Sequence, residues 1–263
     1  MYLSTFSRWT LRIVTALTLV VLYAPIAYVA RLSVNTASNY AWPPRGFTMH
    51  WWGRALHEAG PRDALLNSVK TGLFATAIAL VLGTLAAFAL TRNRFFGRNT
   101  INLFIVLPIA LPGIVTGVAL LSAFQRVGVG LSFATLVIAH ATFCVVIVYN
   151  NAAARLRRLA PSVREASADL GADGWQTFRF ITFPLIRTAL VAGALLAFAL
   201  SFDEIIVTTF TAGTGFKTLP LWFADNFSRP NAIPIVNVVA TFVVLASIIP
   251  VWIAQRLTES DTA

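Results

Sequence analysis

The sequence predicts an all-α membrane protein with six transmembrane helices. Three observations carry that expectation. Hydrophobic types make up 57% of the 263 residues and charged types only 11%, whereas a soluble domain carries about 25% charged residues. The mean hydropathy is +0.75. The apolar residues also lie in uncharged runs long enough for the roughly 20 residues a bilayer crossing needs. Residues 13–30, 71–91, 99–125, 127–154 and 230–255 carry no charge, and a further run, 188–202, stays apolar past Asp203 and Glu204 to about residue 210. This pattern excludes a soluble enzyme, a disordered chain and a nucleic-acid-binding domain. The net charge of +10 fits loop arginines flanking membrane helices, because the basic residues lie between the apolar runs.

Taken in order, the expected spans are 12–32, 68–90, 101–124, 132–152, 187–210 and 233–255. The first, preceded by Arg8 and Arg12, mimics a signal peptide, but its apolar stretch is long for one and reads as an uncleaved anchor. Loop 1 holds Trp42, Pro43 and Pro44, which oppose a continuous helix, and the pair Trp51 and Trp52, which suits a headgroup boundary. The third span carries Pro108 and Pro112, which kink a membrane helix, and Gly113 with Gly117, which permit close helix approach. Plain packing is favoured over dimerisation for that glycine pair. Cys144, the one cysteine, sits in the fourth span and reads as packing. His140 in the same span reads as a hydrogen bond to a neighbouring helix.

Lysine and arginine placement orients the chain. Twelve basic residues fall on one side, including Arg92, Arg94 and Arg98 in loop 2 and Arg155, Arg157, Arg158, Arg164 and Arg179 in loop 4. Eight fall on the other side, most of them in loop 1. Both termini are thereby expected in the cytoplasm.

Loop 4, residues 153–186, is long for a helix connection. Ser162 followed by Glu165 predicts a capping box, and Gly171 a left-handed helix end. Asp173 followed by Gln176 predicts a second capping box, with Trp175 and Phe178 just inside a helix that ends before Pro184. The loop should therefore fold as two short helices outside the membrane. Such a knob can dock into a partner's groove or lie on the membrane surface, and these residues alone leave both open.

The segment Glu165-Ala166-Ser167, then Gly171, then Ile181 and Pro184 resembles the EAA motif of ABC-importer permeases. Every spacing agrees, with Ser167 in place of an alanine and Phe183 in place of a leucine. Residues 107–117, 140–144 and 201–210 resemble spermidine/putrescine-type permeases, nearest to the Ydc-type subgroup. Gly113 stands where many polyamine permeases carry an acidic residue. The resemblance implies a type I ABC-importer permease fold, with one polytopic domain over 1–263, a permease core at about 65–256 and a coupling loop at 153–186. It implies that Glu165, Ala166, Ser167, Gly171, Ile181 and Pro184 couple to an ATPase subunit. The implied partners are a second homologous permease, an ATPase dimer, a periplasmic binding protein and the bilayer, with no nucleic acid. The implied role is polyamine uptake across a bacterial inner membrane, without an ATPase site of its own. Import of another small solute, or secondary transport, are the alternatives.

Carboxylates inside a membrane span are costly and mark pathways or partners. Asp203 and Glu204 are the one such pair. Sixteen residues separate Arg187 from Asp203, about 24 Å of helix, which places the pair in the outer third of the bilayer. Phe202 and Trp222 could add cation–π contacts for an amine, and Asp225 is a further candidate on the outer side. A structural role for both carboxylates stays open. Neither a cofactor nor a metal is expected, because His50, His57 and His140 lack ligand spacing. Gly213 to Thr218 fails as a phosphate loop because Phe216 stands where glycine is needed.

Overall fold

The computed structural model describes residues 4–40, 43–92 and 95–259. Trp42 and Arg94 lie outside them. The chain is helical, with no strand among the described residues. The helices are α1 (Thr5–Leu32), α2 (His50–His57), α3 (Ala59–Arg92), α4 (Arg98–Ala110), α5 (Gly113–Arg126), α6 (Phe133–Arg157), α7 (Pro161–Asp169), α8 (Gly174–Gln176), α9 (Phe183–Asp203), α10 (Ile206–Thr211), α11 (Leu219–Asn226) and α12 (Ile233–Glu259). A π-helical segment, Thr177–Thr182, joins α8 to α9.

Two compact units form. One joins the chain up to Arg62 with Phe223–Trp252, and the other is Asp63–Trp222 together with the chain from Ile253. In the first, α1 is preceded by Ser4, whose hydroxyl accepts from the Ser7 amide. The chain after α1 folds back on itself. The Thr48 amide donates to Val34 at 2.8 Å and the Thr36 amide to Arg45 at 3.2 Å. The expected tryptophan pair lies on the short helix α2, where the Trp51 indole donates to the Asn35 carbonyl at 2.9 Å and the Trp52 indole to Ser33 Oγ at 3.3 Å. Polar tips tied and rings half-buried is the arrangement an interfacial tryptophan adopts.

The second unit is built around α6. Its buried residues include Leu136, His140, Cys144, Val148, Tyr149 and Ala152. One cluster packs Ala75 and Ala79 of α3 and Ala197 of α9 against Phe143, Cys144 and Val148. Small residues set the spacing, since lipid gives helices no hydrophobic drive to associate and van der Waals packing must supply it. A Cβ on Gly83 would stand 2.9 Å from the Val145 carbonyl of α6, and one on Gly193 would stand 3.3 Å from Val148 Cα.

The expected third span is not one helix. It breaks after Ala110, and α4 and α5 are bent by 110°. Leu111 adopts extended backbone, φ −84° and ψ 144°, the conformation forced on a residue before proline, and Pro112 starts α5 without an amide to donate. The pair still crosses. Asn102 on α4 accepts from the Tyr149 hydroxyl near the C-terminal end of α6. Gly113 and Gly117 of α5 lie against Ile206 and Phe210 of α10, whose last carbonyl, Thr211, accepts from Thr135 in the first turn of α6 at 3.1 Å. The pair therefore travels from one end of α6 to the other and counts as one broken crossing, giving six with the five unbroken apolar helices.

The fifth span departs from expectation at both ends. It does not start after Pro184. A π turn, in which the Phe183 amide donates to the Phe178 carbonyl, widens the helix just ahead of Pro184 and eases the clash of its ring with the Phe180 carbonyl four residues earlier. The helix runs on from loop 4 through α9. It then stops at Asp203 rather than 210, and Glu204 turns extended, φ −74° and ψ 120°, before α10 begins.

Candidate functional site

Loop 4 folds into a rigid knob. The first expected capping box does not form. The N-cap of α7 is Ala160, without a side-chain cap, and Pro161 occupies the first turn, so the helix starts earlier than Ser162 predicts. Proline is preorganised for that position and has no amide to leave unsatisfied. The C-terminal end agrees with expectation. Gly171 has φ +80°, the Ala172 amide donates to Ser167 at 3.1 Å and the Gly171 amide to Ala168 at 2.9 Å, which satisfies the last carbonyls of α7. The second capping box is present, with the Gln176 amide donating to Asp173 Oδ1 at 2.8 Å and the Asp173 amide to Gln176 Oε1 at 2.9 Å.

Within the knob, Ser167 is buried and its hydroxyl lies 2.8 Å from that of Thr177, tying α7 to the π segment. The serine that replaces the motif's alanine is thus used structurally. Glu165, Ala166, Gly171 and Pro184 are exposed and Ile181 is half-buried. The turn between α7 and α8 carries two large apolar side chains into the open, Leu170 at 89% exposure and Trp175 at 65%. Trp175 falls where a helix start is expected, and no local pattern marks either side chain as a contact. Burying them against a partner would remove apolar surface worth about 1.5–3 kcal/mol per side chain. The knob is anchored below. Arg92 Nη2 donates to Thr182 Oγ1 at 3.1 Å, and the Phe88 and Phe178 rings meet edge-on at 5.5 Å.

A second arrangement lies at the break between α9 and α10. Asp203 and Glu204 do not share a helix face, because only Asp203 is helical. Glu204 Oε1 accepts from the Val207 amide at 2.9 Å, which caps α10. Asp203 is exposed and makes no hydrogen bond or ion pair among the described residues. The carbonyl end of α9, the negative end of its dipole, lies at the same place. Phe202 is half-buried beside it, its ring tilted against that of Phe198 with centroids 5.9 Å apart. Trp222 is buried in α11, and Asp225, on the same helix, is half-buried.

The break is held from α6. His140 is fully buried, with Nδ1 2.7 Å from Ser201 Oγ and Nε2 2.9 Å from Thr208 Oγ1. The expectation of a hydrogen bond to a neighbouring helix is met twice, once on each side of the break. The Gly113 and Gly117 pair serves packing within the chain. A Cβ on Gly117 would stand 2.6 Å from Phe210 Cδ2.

Residues 79–260 match the family described as binding-protein-dependent transport system inner membrane component. The chain belongs to this family. It is therefore an integral, multi-pass inner-membrane permease, a transport subunit of an importer that works with a substrate-binding protein and an ATPase. The chain is 33% identical over 240 residues, 91% of its length and 93% of the relative's, to the spermidine/putrescine transport system permease protein PotC of Haemophilus influenzae. It is 34% identical over 244 residues, 90% of its length and 86% of the relative's, to the putrescine transport system permease protein PotI of Escherichia coli. Among solved structures, a bacterial ABC transporter involved in the import of the acidic polysaccharide alginate aligns over 99% of both chains with a TM-score of 0.73 at 18% identity. That likeness concerns the fold, the type I importer permease fold that the EAA resemblance implies.

Proposed function

We propose that this permease imports a polyamine, putrescine or spermidine, and forms half of a pathway completed by a second homologous permease. Asp203 carries the reading. An exposed carboxylate with no partner among the described residues, at a helix break and beside the negative end of α9, suits charge-assisted hydrogen bonds to a di- or tricationic amine. The names of PotC and PotI support that substrate class. Glu204 is committed to capping α10, so the two neighbouring carboxylates divide into one that meets the substrate and one that shapes the break. Phe202 offers a ring face beside Asp203. Asp225 stands further along the outer segment and serves the approach of substrate or binding protein, whereas Trp222 is buried and offers no ring face to an amine, contrary to the cation–π role its residue type suggests.

At the other end of the unit the knob of α7 and α8 inserts into the ATPase subunit. Glu165, Ala166 and Gly171 form its exposed helix and turn, with Leu170 and Trp175 as apolar anchors, while Ser167, Ile181 and Pro184 hold it on α9. Two ATPases bind the two permeases and hydrolyse the ATP. Their closure pushes each knob, and the unbroken helical path from Gly174 to Asp203 carries that displacement to the substrate carboxylate. Both termini and the knob are cytoplasmic.

Uptake of radiolabelled putrescine and spermidine into cells lacking the gene tests the reading. Wild type restores uptake. A wild type that retains an ATPase yet restores no uptake of either amine would assign the importer to another solute.

A further inference from the structure

The underside of the knob carries a second charged feature that the coupling reading leaves unused. A cleft of about 260 Å³ opens between the C-terminal ends of α3 and α6, the start of α7 and the π segment. Arg92, Arg157 and Arg164 line it, with Glu165 as its one carboxylate and the hydroxyls of Thr91, Thr177 and Thr182 as further polar groups. Arg164 is near enough for its charge to act on Arg92. Arg157 and Arg164 make no hydrogen bond or ion pair among the described residues. Three guanidiniums facing one carboxylate leave an excess of positive charge, which attracts an anion.

Depth identifies the anion. Arg92 is the last residue of the apolar helix α3, and Arg155 and Arg157 end α6. The cleft mouth therefore lies where hydrocarbon gives way to headgroups, on the side where the inner leaflet is rich in anionic lipid. We infer that this cleft binds the phosphate of an anionic phospholipid headgroup beneath the coupling knob. Guanidinium forks match phosphate oxygens in pairs. The inference rests on the inward placement of loop 4. Its consequence is that lipid charge braces α7 against α3, so the knob is stiffest in an anionic membrane.

The test uses the full-length permease purified with its ATPase in neutral detergent. Phosphatidylglycerol, phosphatidylcholine and inorganic phosphate are titrated separately, and lipid retention is read by native mass spectrometry together with the melting temperature. Wild type retains phosphatidylglycerol over phosphatidylcholine, and Arg164→Gln and the pair Arg92→Gln/Arg164→Gln bind it about tenfold more weakly. The Arg164 side chain has no hydrogen bond or ion pair among the described residues, so its single variant is expected to fold normally. Arg158→Gln, one position outside the cleft lining, leaves retention unchanged. Equal weakening by Arg158→Gln, or unchanged retention in the double variant, would overturn the inference. Protection by inorganic phosphate equal to that by phosphatidylglycerol would assign the cleft to a free anion. Loss of ATPase without loss of lipid in the double variant would assign it to the protein partner, and retention of no ATPase by wild type would instead count against the coupling reading itself.

Discussion

His140 Nδ1 lies 2.7 Å from Ser201 Oγ, in the last turn of α9, while Nε2 of the same ring lies 2.9 Å from Thr208 Oγ1 of α10. One buried imidazole on α6 thus straps both sides of the break that holds Asp203 and Glu204. A neutral ring offers one donor and one acceptor, and each hydroxyl can supply the complement.

His140→Leu removes both bonds. Thr208 keeps its bond to the Glu204 carbonyl at 2.8 Å, so Ser201 bears most of the loss. Interhelical hydrogen bonds in membranes contribute about 0.6 kcal/mol on average, and the variant is expected to lose about 1–2 kcal/mol in detergent melting. Uptake falls further than stability, because the break is mispositioned. His140→Gln, which can keep one bond, falls between. Unchanged uptake in His140→Leu would show that the strap does not position the break.

Gly117 and Phe210 fix how α5 sits on α10. A Cβ at position 117 meets Phe210 Cδ2 at 2.6 Å, with Cγ at 3.3 Å behind it. Gly117→Ala is expected to destabilise by about 1–3 kcal/mol through overpacking. Phe210→Leu in the same chain recovers most of that, and a double-mutant cycle on melting free energies measures the coupling. Additive effects would mean that the two do not touch.

The two caps of loop 4 separate cleanly. Asp173→Ala deletes a formed capping box and costs about 1 kcal/mol, seen as faster amide exchange over 173–182. Ser162→Ala changes stability by less than about 0.5 kcal/mol, since α7 is capped at Ala160 without a side chain. A reversed ranking would restore the capping box that the sequence favours.

Leu170→Asp places a charge on the most exposed apolar side chain of the knob. Retention of the ATPase is expected to drop about tenfold or more, the scale of an interface anchor, with the permease melting temperature unchanged. Glu165→Lys acts the same way through charge. Full retention in both variants would move the ATPase contact elsewhere.

Much of this was legible from residue type alone. Uncharged runs located the apolar helices, because a helix crossing hydrocarbon must be apolar over its length, and the Asp173 cap and Gly171 turn are local features that a few residues determine. The breaks were less visible. Pro112 signals a kink, but a 110° bend also depends on α10 receiving α5. The end of α9 carries no proline or glycine at 203–205; the break there is stabilised by Glu204 turning back on Val207 and by His140 from another helix, which no local signal encodes. Ser162 misled because Pro161, one residue earlier, starts the helix first. Pro184 misled because a π turn absorbs a proline that would otherwise end a helix. Leu170 and Trp175 are ordinary apolar residue types whose outward placement depends on the turn between α7 and α8.

The most direct test compares Asp203→Asn with Glu204→Gln for uptake of radiolabelled putrescine and spermidine in cells lacking the gene, with retained ATPase quantified in parallel. The account predicts that Asp203→Asn abolishes uptake while keeping the ATPase and the wild-type melting temperature, and that Glu204→Gln lowers uptake together with stability through the weakened cap of α10. Normal polyamine uptake by Asp203→Asn would contradict it.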